Sequence, residues 1–256
     1  MLKPRIIPVL TLIEGNLVKT KKFKNPQYIG DPINAIRIFN EKEVDELMII
    51  DINASKKNIP PNYRLIEDMC SECFMPLVYG GGIKNIEQAR KIFSLGIEKI
   101  CIQSGILDNP KFIEDLYGEF GKQSVILSLD FKKDWFKKYK LFCTRSMKFY
   151  QSGLFERINN LINQGVGELL ITSINKDGSM TGPELDLITT VRKNIKIPLI
   201  YLGGISKLED IENSIKAGAN AVAAGSFFIY YGPHKAVLLT YPSNIMIEEI
   251  FKNINY

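Results

Sequence analysis

The chain repeats itself, and that limits what it can fold into. The stretch PLVYGGGIKNIEQARKIFSLGIEKICIQSG, from Pro76 to Gly105, returns as PLIYLGGISKLEDIENSIKAGANAVAAGS, from Pro198 to Ser226. Pro76 answers Pro198, Gly82 answers Gly204, Gly96 answers Gly218 and Ser104 answers Ser226, always 122 residues apart. The same offset sets ELMIIDIN, from Glu46, beside ELLITSIN, from Glu168. Short strand–glycine–helix patterns resemble one another in many proteins, but chance does not hold one offset over three strands. Two halves, about residues 1–121 and 122–256, therefore share one plan, and the fold must be one that a doubled half can close.

Each half carries four strand-then-helix units. Short apolar runs bounded by turn residues read as buried parallel strands. They lie at Arg5–Leu10, Leu47–Asp51, Leu77–Gly80, Lys99–Gln103, Val125–Asp130, Leu169–Ser173, Leu199–Leu202 and Ala221–Ala224. Between them Ile86, Ala89, Ile92 and Phe93 keep helical spacing, as do Leu208, Ile211 and Ile215. Eight alternations with no long linker predict an α/β fold, a single (β/α)₈ barrel over residues 1–256. The length fits the roughly 250 residues of such a barrel, and a composition that is 45% hydrophobic supplies its core.

The net charge of +5 is mild and spread along the chain. It suits an anionic small ligand or an acidic partner and gives no argument for nucleic acid. No apolar run approaches the roughly 20 residues of a membrane helix, and Met1-Leu2-Lys3-Pro4-Arg5 leads into a strand without a signal-peptide pattern. The expectation is a cytoplasmic protein with neither a nucleic-acid nor a membrane partner. Of four cysteines, Cys70 and Cys73 form a CxxC at the end of an expected helix from Leu65 to Cys73. A zinc site wants a second pair or histidines, and the only histidine is His234. The CxxC reads as helix-face packing, with a metal or redox role as the alternative. No metal and no cofactor are expected.

In such barrels chemistry sits where strands run out into βα loops. Glycines cluster there: Gly80-Gly81-Gly82 after strand three and Gly203-Gly204 after strand seven. Strand four ends in Gln103-Ser104-Gly105 and strand eight in Ala224-Gly225-Ser226. Glycine lets backbone N–H groups approach an oxyanion closely. A device present once per half predicts two phosphate pockets on one mouth, hence a phosphorylated small molecule with a phosphate at each end. Asp130 ends strand five and is a candidate acid-base group. Asp51 ends strand two and could equally brace a loop; Asp177-Gly178 follow strand six. Lys19 could close over an anion or be a solvated surface charge. Two βα loops are long, about Leu12 to Pro32 and about Phe131 to Ser152, the second rich in lysine and aromatics; long loops serve as lids or substrate loops. At the other barrel end Arg5, Glu46, Lys99 and Glu168 each begin a strand. Their alternating charges predict a ring of ion pairs, read on its own as structural.

With these residues assembled, RIIPVLTLIEGNLVK, IGDP, DELMIIDINAS, YGGGI, ILSLDFK, GELLITSINKDGSMTG and LGGI resemble the cyclase subunit of imidazole glycerol phosphate synthase over nearly the whole chain. The resemblance implies a half-repeated barrel for a substrate with two phosphates. It also implies a glutaminase partner at the N-terminal barrel face, whose ammonia crosses the barrel core. It implies that Arg5, Glu46, Lys99 and Glu168 form the ammonia gate. It implies ligand contacts at Lys19, Gly82, Gln103, Ser104, Asp177, Gly178, Gly203, Gly204, Gly225 and Ser226, and catalysis by a pair of aspartates. Asp130 matches one of that pair. Thr11 stands where the family has the other, and Gln103 where it usually has asparagine. The segment from Phe228 to Leu238 is similar to a divergent branch associated with surface-polysaccharide genes, in which ammonia goes to a sugar amidotransferase. Three readings follow: ammonia supply for amidination of a sugar, a working cyclase of histidine biosynthesis, or a non-catalytic scaffold that activates the glutaminase.

Overall fold

The computed structural model describes residues 3–254 apart from 104–108, 110, 145, 151 and 152. Eight parallel strands form its centre: β1 (Arg5–Ile13), β2 (Leu47–Asp51), β3 (Leu77–Gly80), β4 (Lys99–Ile102), β5 (Val125–Lys133), β6 (Glu168–Ser173), β7 (Leu199–Leu202) and β8 (Ala221–Ala224). Each pairs with its sequence neighbours, and β8 returns to β1 with Arg5 opposite Ala221, so the sheet closes on itself. This is a (β/α)₈ barrel.

Amphipathic helices fill the crossovers, among them α1 (Pro32–Glu41), α2 (Tyr63–Glu72), α3 (Ile86–Ser94), α4 (Lys111–Phe120), α5 (Leu154–Asn163), α6 (Leu185–Asn194) and α7 (Leu208–Lys216). Asp31 caps α1 and Asn85 caps α3 by accepting a backbone N–H inside the first turn. The apolar face of each helix meets the outward residues of the strands in one continuous core. A second, smaller core of Ile7, Val9, Met48, Val78, Cys101, Ile126, Leu170, Ile200, Ala221 and Ala223 fills the barrel itself. Strand alternation therefore assigns inward positions to Arg5, Thr11, Lys99, Gln103, Asp130 and Glu168, which share parity with those inner-core residues.

The repeat reappears in the backbone. Gly81 and Gly203 have φ of +123° and +136°, Gly82 and Gly204 +74° and +81°, Gly96 and Gly218 +108° and +114°. At Gly82 a Cβ would lie 2.8 Å from the Ile59 carbonyl, so the left-handed turn and the lack of space both demand glycine.

Two expectations need correction. Strand one does not stop at Leu10, nor strand five at Asp130; both continue into antiparallel hairpins. Glu14-Gly15, both with positive φ, turn β1 back into Asn16–Lys21, which sets Thr11 opposite Val18. That is the twist a two-residue hairpin turn requires. Lys22-Phe23, again both positive, turn once more into Lys24–Gly30. Past Phe131, β5 pairs with Tyr139–Cys143. The described parts of the long loops are thus hairpins at the C-terminal ends of the barrel strands. The CxxC helix spans Tyr63–Glu72, with Cys73 as its C-cap.

Candidate functional site

The mouth is built around Asp130. Its carboxyl is buried, and burial pushes its pKa up to about 7, with Asp177 adding to the rise and hydrogen bonds from Gln103 and Thr172 opposing it. A carboxyl poised near neutrality can both take and give a proton. Gln103 thus serves Asp130, and its Oε1 also lies 3.4 Å from the Thr144 hydroxyl. Thr172 was not singled out in the sequence, although its inward register beside Asp130 on the adjacent strand would have found it.

Thr11 faces a different task. Its hydroxyl donates to the carbonyl of Val18 in the returning hairpin strand. The side chain therefore braces the hairpin base, where a second acid-base group is expected.

Beside Asp130 lies a pocket bounded by Lys19, Asp177, Gly178, Gly203, Gly204, Gly225 and Ser226, with Met180, Leu202, Ile205 and Ala224 completing the wall. Met180, Leu202 and Ile205 were not singled out in the sequence, since apolar residues at strand ends carry no distinguishing signal. Lys19 is buried at 5% exposure, which excludes a solvated surface charge. Its Nζ sits 3.7 Å from Asp177 Oδ1, too far for a direct hydrogen bond. The Ser226 hydroxyl is buried with no hydrogen-bond partner. A Cβ on Gly225 would come within 2.5 Å of Lys19 Nζ, so only glycine leaves the ammonium in place. An unpaired buried donor, a buried cation and bare glycine backbone together suit an anion.

Asp177 also holds the hairpin that extends β1. Its carboxylate accepts from the Thr20 hydroxyl at 3.3 Å and the Phe23 N–H at 3.4 Å, and its carbonyl from the Lys22 N–H at 3.0 Å. These bonds pin the Lys22-Phe23 turn, with its two positive φ angles, to Asp177 at the pocket wall. Glu184, absent from the sequence reading, ties the neighbouring loop together. It accepts from the Ser173 hydroxyl at 2.7 Å, pairs with Lys133 at 2.7 Å, and its backbone N–H donates to Tyr201 Oη.

The matching pocket of the first half is different. The Gly82 N–H already donates to the Ser55 hydroxyl at 3.2 Å. Ser55 lies 122 residues before Asp177, so the repeat itself could have flagged it. Ser104 lies outside the described residues. Asp51 braces a loop: its Oδ1 accepts from the Asn53 and Ala54 N–H groups at 3.0 Å each and starts the short helix Ala54–Lys57. Burial raises its pKa, against those two bonds.

At the opposite end, Arg5 donates to Glu46 and to Glu168, and Lys99 Nζ lies 2.8 Å from each of the same two carboxylates. The four side chains close one cycle of alternating charge. Glu46 and Glu168 are buried, while Arg5 and Lys99 keep part of their surface. Burial opposes the charge on Glu168, but Arg5 and then Lys99 overcome it and hold its pKa below the usual carboxylate range. Above the ring, Cys101 is buried on the inner wall and its thiol is pushed up to about 12, burial leading and the Ser128 bond opposing. Such a thiol is inert as a nucleophile. Burial likewise lifts Cys70 to about 11, and all four cysteines are free thiols. Among the described residues no cluster of His, Cys, Asp and Glu could hold a metal ion, and no helix is long and apolar enough to cross a membrane.

Fold and site define a barrel with a buried carboxyl of raised pKa and a glycine-lined polar pocket at one end and an ion-pair ring at the other. Residues 5–235 match the family model described as "Histidine biosynthesis protein". The chain is 48% identical to the putative imidazole glycerol phosphate synthase subunit HisF of Leptospira borgpetersenii, over 98% of this chain and all of that one. It is 44% identical to the putative subunit hisF2 of Pseudomonas aeruginosa, over 94% and 97%. It is 34% identical to the HisF subunit of Exiguobacterium sibiricum, over 89% and 91%. The chain belongs to the HisF-like histidine biosynthesis family.

Proposed function

We propose that this barrel receives ammonia from a glutaminase docked at its N-terminal face, passes it through the ring and core, and supplies it for amidination of a surface-polysaccharide sugar. The observation that carries the reading is the contrast between its two ends. The ring of Arg5, Glu46, Lys99 and Glu168 is complete, with every charge paired twice. The mouth has Asp130 but only a hydroxyl at Thr11, already committed to Val18. A conduit needs the ring and a barrel interior lined, as here, by small and apolar side chains; cyclisation needs two acid-base groups, each worth about 10²–10⁴-fold. In this reading Lys19, Gly203, Gly204, Gly225 and Ser226 bind one phosphate, and Gly82 with Ser104 flank a second site.

One observation favours a working cyclase of histidine biosynthesis instead: Asp130 is held near neutrality beside an intact anion pocket. Complementation of a histidine auxotroph separates the two. The ammonia-supply reading expects no growth without added histidine; growth at the normal rate overturns it. A barrel that activates the glutaminase equally well with its core blocked by a bulky residue at Ala223 is a scaffold alone.

A further inference from the structure

The hairpin that extends β5 presents a feature that the pocket and the ring leave unused. Trp135 is 95% exposed and Phe136 80% exposed at its apex. These are large apolar side chains in adjacent positions, held out by a built turn. Asp134 Oδ1 accepts from the Phe136 N–H at 2.9 Å and the Lys138 N–H at 3.0 Å, and the Asp134 N–H donates to the Lys138 carbonyl at 2.9 Å. Lys140 pairs with the other carboxylate oxygen at 3.1 Å. The apex is therefore ordered without any cover over its rings. Around it Lys137, Lys138, Lys140 and Lys148 are exposed, and Met147 is exposed in the next turn. The hairpin that extends β1, on the same barrel end, repeats the motif on a smaller scale: Phe23 is partly exposed between Lys21, Lys22 and Lys24.

The geometry points to a peripheral contact between this end of the barrel and an anionic lipid surface, with Trp135 and Phe136 entering the headgroup layer and the lysines meeting its charge. Aromatic side chains settle at that depth, and lysines beside them add electrostatic attraction; weak apolar insertion plus basic charge is the usual pairing. A protein partner fits less well. The apex is a narrow projection of two rings, whereas stable protein interfaces bury about 800 Å² per partner, favour arginine and deplete lysine; among the described residues the cations around the apex are lysines. The expectation of no membrane partner rested on the lack of a spanning helix, which surface contact does not need. The inference is independent of the ammonia reading.

Trp135 is the chain's single tryptophan, so its emission reports directly on the apex. The test titrates the whole chain with vesicles of phosphatidylcholine and phosphatidylglycerol in equal parts, with vesicles of phosphatidylcholine alone, and with soluble polyglutamate. Co-sedimentation is measured alongside. The expected result is a blue shift and co-sedimentation with the anionic vesicles only, weakened by salt. K137E/K138E, both exposed and outside the pocket lining, should weaken sedimentation about tenfold or more, and W135S/F136S should do so with the charge kept. No shift on anionic vesicles overturns the proposal, as does a shift with polyglutamate alone, which would mean an acidic protein partner. Equal sedimentation of both double variants, with unchanged circular dichroism, overturns it too.

Discussion

The hydroxyl of Thr11 donates to the carbonyl of Val18, and this bond joins an inward position of β1 to the hairpin strand that grows from it. A carboxylate there could not donate; it would repel the Val18 carbonyl and turn toward the mouth. Thr11→Asp should therefore raise cyclase turnover from its basal level by about tenfold or more. It should also cost about 1 kcal/mol of stability for the lost bond. Steady-state turnover with the bis-phosphate substrate and thermal melting check the two halves. Tight substrate binding with no gain in turnover would show that the mouth has diverged beyond this position.

Asp130 yields a prediction whose sign depends on pH. Its pKa in the folded chain, about 7, lies above the ordinary value of 3.8, so folding favours the protonated form. Full stability is present below about pH 3.8 and declines as pH rises toward 7, each tenfold change in proton affinity being worth about 1.4 kcal/mol. Asp130→Asn should melt higher than the parent above pH 7 and converge with it in acid. It should abolish any residual cyclisation at every pH. A melting difference that does not shrink below pH 5 would contradict the raised pKa.

How much of this was legible beforehand depends on where the signal lies. The barrel, the repeat and the charges at strand starts all follow from spacing, because a buried parallel strand is a short apolar run and its ends fall at fixed parity. Arg5, Glu46, Lys99 and Glu168 were readable for that reason, and they meet as expected. The hairpins were not readable. Lys22-Phe23 take the left-handed conformation without Gly, Asn or Asp to announce it. Nor was the assignment of Gln103 and Thr172 to Asp130, which depends on how adjacent strands stagger around the barrel. Lys19 looked like any lysine until that hairpin folded it under cover.

Ser226 separates binding from stability. Its buried hydroxyl has no partner, so it carries a desolvation cost with nothing to offset it in the unliganded chain. Ser226→Ala should leave thermal stability unchanged or raise it by about 1 kcal/mol. The same change should weaken inorganic phosphate or bis-phosphate binding about fivefold or more, measured by calorimetry. A loss of stability on that substitution would mean that the hydroxyl has a structural partner.

The ring makes the last prediction. Lys99 bridges Glu46 and Glu168 at 2.8 Å each, and removing it leaves two buried carboxylates sharing Arg5 alone. Breaking a buried charge network costs about 3–5 kcal/mol, less where, as here, the cation keeps some contact with water. Lys99→Ala should therefore fold but melt lower. Since the Glu168 carboxylate, held low by Arg5 and Lys99, then loses one of its two cations, the deficit should narrow as pH falls and Glu168 takes up a proton. Lys99→Met keeps the aliphatic stem and separates packing from charge. If the ring is a gate, both variants should uncouple glutamine hydrolysis from ammonia use in complex with the glutaminase. Ammonia would then appear in bulk solvent while hydrolysis continues. If it only fastens the barrel, both would destabilise the fold and leave the ratio of product to hydrolysed glutamine unchanged.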